Sequence, residues 1–262
     1  MKNTRTSRWQ AMAEQPVFQW VAIGATVIIS LAVLVWQLES SLIPAAVDRI
    51  IEELPPTVFD EIGEDMVKDL TSSGFTATRL ADSEQTEVHA LFDGLRNELA
   101  LDHRHALHLY QWETQANALA LPGAQIVVTD ALVHRLGTGD QLKAVLLHEI
   151  GHTTLQHVEI SILRSSLIGL AGLLLIGDVS YLSLAAVSVS TAVLERSFSR
   201  EQEIEADAYA TRYFLARDQE VEALVEALRE LSNHAETDEG GWLRTHPSTE
   251  ERVRLIQRAN EL

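Results

Sequence analysis

The chain has 262 residues, 46% of them hydrophobic, and a formal charge of −18. That length can bury one substantial core plus an appendage. With no cysteine there are no disulfides, thiolate ligands or cysteine nucleophiles, and the acidic balance without any run of Lys or Arg argues against a nucleic-acid partner, whose phosphates need basic clusters.

Lys2, Arg5 and Arg8 open the chain against only Glu14, and no charged residue follows until Glu39. The apolar run 17–38, VFQWVAIGATVIISLAVLVWQL, is long enough to cross a bilayer as a helix. Trp20 and Trp36, about 24 Å apart at 1.5 Å per residue, fall where interfacial anchors belong. The run is longer than a signal-peptide core and QLESSLIP is a poor cleavage site, so an uncleaved signal anchor is expected. Basic residues before it and Glu39, Asp48, Glu52 and Glu53 after it place the amino terminus in the cytoplasm and the rest outside. The expected organisation is a cytoplasmic segment (1–16), a transmembrane anchor (17–38), a helical linker region (39–82) and the main domain (83–262).

Residues 44–70 read as two short amphipathic helices broken at Pro55-Pro56. TSSGFTATR (71–79) reads as a loop, and residues 83–100 as a helix capped by Ser83. ALHLYQW (106–112) and AQIVVTD (124–130) read as strands. NALALPGA lies between them, with a turn at Pro122-Gly123. A helix from about Asp140 to His157 follows, then an apolar stretch, then helices over 199–216 and 219–234. STEERVRLIQRANEL closes the chain with a Ser248–Glu251 capping box. The pattern predicts a helix-rich α+β domain with a small β-sheet just before the helix at 140–157.

That helix carries LLHEIGHTTLQH, residues 146–157. Positions i and i+4 share a helix face, so His148 and His152 can turn imidazoles toward one metal ion, with Glu149 about 100° around the helix beside them. Ala144, Val145, Leu147 and Ile150 would bury the helix, and buried histidines need partners. A catalytic zinc requires a third protein ligand. His157, five residues past His152, points about 140° away on a continuous helix, so it reads as a residue supporting the ligands from behind or as a surface one. The metzincin spacing would need glycine at 155 and histidine at 158, where this chain has Leu155 and Val158. SREQEIEADAYA offers Glu201, Glu203, Glu205 and Asp207. Ala206, Ala210 and Tyr213 mark an inward face there, with Glu203 and Asp207 in line. Spacing alone does not choose among these carboxylates.

His148-Glu149-Ile150-Gly151-His152, the later Glu203-Ile204-Glu205-Ala206-Asp207, NALALPGAQIVVTDALV before them and the terminal THPSTEERVRLI together resemble the HtpX/CAAX-prenyl-protease family of zinc endopeptidases (peptidase family M48), particularly its periplasmic and Oma-like members. The resemblance covers roughly residues 106–256. It implies that the domain following the apolar anchor is a zincin-type metallopeptidase, with one Zn²⁺ held by His148, His152 and Glu203. Asp207 would orient a ligand histidine, and Glu149 would act as general base. His246, in the Thr-His-Pro-Ser segment, is the candidate oxyanion partner. Asn117, Ala118, Leu119 and Ala120 resemble the substrate-binding edge strand. Ala124 departs from the pattern, standing where many members have a second glycine. The implied protein is a single-pass protease of the bacterial inner membrane, its catalytic domain in the periplasm and its substrates unfolded or misfolded proteins. Two rivals are a chaperone-like module with vestigial protease activity and a multi-pass membrane protease. The latter needs the apolar stretch 165–194 to cross the membrane. A single crossing would separate Glu203 from the histidines, so a helical hairpin beside the active site is expected instead.

Overall fold

A computed structural model of the chain describes residues 16–113, 115–176, 198–219, 221–233, 241–247 and 250–261. It divides into two compact units, Met1–Ile50 and Ile51–Leu262.

The first unit is built on α1 (Pro16–Gln37), uncharged throughout. It exposes apolar side chains all round, with Trp20 and Trp36 at its two ends, and is apolar and long enough to cross a membrane. A widened π-helical turn, Leu38–Leu42, leads into α2 (Ile43–Glu53). Here Ile43 N donates to Leu38 O, five residues back. The slip falls where Pro44 cannot supply the next regular donor.

The second unit opens with α3 (Pro56–Asp69). Pro55 is extended and Pro56 fills the first helical position, so the expected break at this dipeptide is present. A 3₁₀ turn, Leu70–Ser73, ends at Gly74 in the left-handed region. Thr76–Ala77 then forms β1, pairing antiparallel with β2 (Ala106–Gln111). The sequence reads as loop there because two residues carry no periodicity. α4 (Asp82–Glu98) has Ala81 rather than Ser83 as its N-cap. The Glu84 side chain accepts from Ala81 N at 2.8 Å, which leaves Ser83 inside the first turn.

β3 (Ala118–Leu121) and β4 (Gln125–Thr129) complete a mixed sheet of order β1-β2-β4-β3. β2 and β4 are parallel with Leu107 opposite Ile126, and β3 pairs antiparallel to β4 with Ala120 opposite Ile126. The β3–β4 turn puts both Gly123 and Ala124 at positive φ. A Cβ at Gly123 would lie 2.6 Å from Asp60 Cα, and one at Gly63 only 1.9 Å from Pro122 O, so α3 and this turn meet backbone to backbone.

α5 (Asp130–Leu136), capped by Thr129, leads to α6 (Asp140–Thr154). α6 is the core helix, buried from Ala144 through Thr153. It stops short of the expected His157. Leu155 and Gln156, the latter at φ 55, break the chain direction before α7 (His157–Ile176). α8 (Arg200–Leu215), capped by Ser199, packs along α6; Gly151 permits the approach, since a Cβ there would lie 3.1 Å from Ala206 Cα. α9 (Glu222–Asn233), the short α10 (Trp242–Thr245) and α11 (Glu250–Ala259) close the unit. The expected cap at Ser248, and the part of the apolar stretch from 177 to 194, lie outside the described residues. The architecture is the helix-rich α+β class expected, with a small mixed sheet.

Candidate active site

His148 and His152 sit one turn apart on α6, both fully buried. Their Nε2 atoms lie 3.0 Å from each other. α8 brings Glu203 against them, with Oε1 3.4 Å from His152 Nε2 and Oε2 3.7 Å from His148 Nε2. His246 follows α10 and enters from the carboxyl side; its Nδ1 is 3.0 Å from Glu203 Oε1 and 3.3 Å from His148 Nε2. One ligand atom from each of these four residues lies within 4.8 Å of all the others.

The surrounding side chains fix these rings. Asp207, one turn after Glu203, faces His148 Nδ1 at 3.0 Å. Arg252 from α11 grips Asp207 with two hydrogen bonds of 2.6 and 2.8 Å and reaches Glu203 Oε2 at 2.5 Å. Burial alone would raise the Asp207 pKa, but Arg252 and then His148 outweigh it and hold it low. An ionised carboxylate only accepts, so neutral His148 carries its proton on Nδ1 and presents a bare lone pair at Nε2. Glu203 is likewise held well below its ordinary range: burial raises it, while His246, His152 and His148 lower it more. Burial dominates at His152 and keeps it neutral. At His246 the carboxylates of Glu149 and Glu203 overcome the lowering effect of burial, and its pKa is raised.

Glu149 is fully enclosed. Trp242 Nε1 donates to its Oε1 at 3.0 Å, whereas Oε2 has no hydrogen-bond partner among the described residues. His246 Nε2 is also without a hydrogen-bond partner among the described residues and lies 3.5 Å from Glu149 Oε1. Trp242 stacks on His246 at 4.6 Å between centroids, and its backbone N–H donates to Ala116 O, one residue before Asn117.

The donor set fits a metal ion. Three imidazoles and a carboxylate are the ligand types borderline divalent cations such as zinc prefer. A bare imidazole nitrogen facing an ionised carboxylate is repulsive until a cation lies between them.

Of the residues singled out in the sequence, His148, Glu149, His152, Glu203, Asp207 and His246 converge here. Asn117 to Ala120 are not among the clustered donors; they lie on and just before the edge strand β3, which packs against α6. Asn117 is fully buried, and among the described residues neither side-chain amide atom has a hydrogen-bond partner. Sequence reasoning missed Trp242, Arg252 and Phe198, the last stacked on His152 at 3.8 Å. No local signal marks Arg252 as a core group. Trp242 carries a better one, an aromatic residue four positions before His246.

A family model described as Peptidase family M48 matches residues 82–260. Mitochondrial metalloendopeptidase OMA1 of Arabidopsis thaliana is 28% identical over 148 residues, covering 56% of this chain and 30% of that protein. The chain thus matches less than a third of that relative's length. Because the match to the family model runs over well more than half of it and takes in every residue of the cluster, the chain belongs to peptidase family M48.

Proposed function

We propose that this chain is a membrane-anchored, zinc-dependent endopeptidase that hydrolyses peptide bonds of misfolded or unassembled envelope proteins. The observation that carries the reading is a fully buried Glu149 set beside a His148–His152–Glu203 donor set. Zinc held by those three residues would polarise the scissile carbonyl and acidify water. Glu149 takes the proton of the attacking water and delivers it to the leaving amine. Trp242 holds Oε1 of that carboxylate, so the unpartnered Oε2 is the atom available to do so. His246 lies close enough to complete the donor set at rest, and on turning aside it can donate a hydrogen bond to the oxyanion. Asp207 keeps the His148 proton on Nδ1.

Substrate binding is assigned to Asn117, Ala118, Leu119 and Ala120. An edge strand can accept an extended peptide through backbone hydrogen bonds, which tolerate many sequences, and β3 ends the sheet among the described residues. Sequence tolerance suits quality control of unfolded chains. The charge asymmetry about α1 supports a single pass through a bacterial inner membrane with the catalytic unit in the periplasm. A purely structural zinc site has no use for Glu149, which disfavours the chaperone-like reading. A single membrane crossing by the stretch 165–194 conflicts with the meeting of Glu203 with His148 and His152, which disfavours the multi-pass one.

The test is casein cleavage and metal content of the purified chain in detergent. Glu149→Gln is expected to abolish cleavage yet keep about one zinc per chain, whereas His152→Ala and Glu203→Ala lose the metal. Zinc retained by Glu203→Ala at full stability overturns the ligand assignment.

A further inference from the structure

His157 and Glu205 have no part in the chemistry above, yet they continue it outward. His157 is 2% exposed. Its Nδ1 lies 2.9 Å from His152 Nδ1, and its Nε2 lies 3.0 Å from Glu205 Oε2 on α8. On an uninterrupted helix His157 would face away from His152. The break at Leu155-Gln156 turns it back, and Gln202 Nε2 anchors its backbone by donating to His157 O at 3.2 Å.

We propose that His157, held by Glu205, is a positioning residue that fixes the tautomer and ring plane of His152, so that His152 presents a bare Nε2 toward the metal. The inference rests on the zinc-site reading. The Glu205 side chain is 62% exposed, and a carboxylate at neutral pH can only accept. His157 must therefore carry its proton on Nε2. A neutral imidazole has only one, so His157 Nδ1 is a lone pair. At 2.9 Å it can be satisfied only by a proton on His152 Nδ1, which leaves His152 Nε2 bare. The opposite assignment would set a His157 lone pair against the Glu205 carboxylate at 3.0 Å, two acceptors with no proton between them. Phe198, stacked at 3.8 Å, holds the ring plane. The two metal-facing histidines are thus prepared by different devices: His148 by the buried Asp207, and His152 by an imidazole that reaches a surface carboxylate.

The test uses the full chain in detergent, with zinc affinity from chelator competition and the visible spectrum of the Co²⁺-substituted protein. His157→Phe keeps a ring but removes the acceptor. It is expected to weaken zinc binding roughly 10–100-fold and to perturb the cobalt bands, while still binding one zinc when the metal is in excess. His157→Gln, whose side-chain carbonyl can accept from His152 Nδ1–H, should restore most of the affinity. Should His157→Phe fold poorly, the exposed partner serves. Glu205→Lys offers a donor where an acceptor is required and should weaken zinc, whereas Glu205→Gln, which can still accept, should not. Unchanged affinity and cobalt spectra in His157→Phe or Glu205→Lys overturn the relay, as does a His157→Gln no better than His157→Phe. If His152→Ala also binds zinc normally, the zinc site itself has failed; if only the His157 and Glu205 variants are silent, the relay alone has.

Discussion

Arg252 carries a permanent charge at 1% exposure, and it can do so because Asp207 and Glu203 face its guanidinium while the Trp242 ring lies 5.6 Å away. Its two bonds to Asp207 use the planar fork that only arginine offers. Removing it would leave two buried carboxylates without their cation. Arg252→Met is therefore expected to destabilise the folded domain by about 3–5 kcal/mol, seen as a lowered midpoint in thermal unfolding, and Arg252→Lys should restore only part of the loss. An unchanged midpoint would remove the claim that Arg252 balances the site. The sequence hid this residue for a plain reason: a basic side chain in ERVRLI reads as a solvated helix face, and only the arrival of α11 beside α8 makes it a core group. His148, Glu149 and His152 were legible because their spacing on one helix determines their geometry without reference to any other element.

Between elements, the approach of α8 to α6 depends on the missing side chain of Gly151, where a Cβ would lie 3.1 Å from both Ala206 Cα and Tyr209 Cβ. Alanine gains about 1 kcal/mol of helix propensity over glycine, but the crowding costs about 1–3 kcal/mol and pushes on the helix that carries Glu203. Gly151→Ala is expected to lower zinc affinity more than it lowers stability, and chelator competition beside thermal unfolding separates the two. The β3–β4 turn holds a second dependence. Glu159 on α7 accepts from Gly123 N at 3.1 Å, its other oxygen has no hydrogen-bond partner among the described residues, and burial pushes its pKa from 4.5 up to about 7, against the lowering effect of the hydrogen bond from Gly123. The folded state keeps a proton that the unfolded state releases between those values. Stability therefore falls as pH rises from about 4.5 to about 7 and is level above that for this group. Glu159→Gln keeps an acceptor for Gly123 and should stabilise the protein by about 3 kcal/mol at pH 8 but scarcely at pH 5. An advantage of equal size at both pH values would sink the assignment. Neither feature was readable in advance, since a glycine in a helix and a glutamate in a helical first turn are locally ordinary.

At the scale of the whole molecule, α1 and the catalytic unit make separate demands. An uncharged helix that exposes its apolar side chains is unstable in water and stable in lipid. With basic residues before it and acidic ones after, a reporter fused at the carboxyl end is expected to be active only in the periplasm; cytoplasmic activity would reverse the topology. Local pattern was enough to specify the apolar helix, the two proline-separated helices, the strand pattern around 106–130, and His148 and His152 on one helix face with Glu149 beside them. The family resemblance added Glu203, Asp207 and His246 before any packing was known. How separate elements meet was left to the packed structure. The sequence placed His157 on the far side of a continuous helix, but a two-residue break returns it to His152. Trp242 reaches Glu149 across 93 positions, and Arg252 reaches Asp207 across 45. Such contacts depend on the packing of α8, α10 and α11 around α6, and the hydrophobic burial that drives this packing is non-directional, so periodicity shows which face is buried but not which partner it meets.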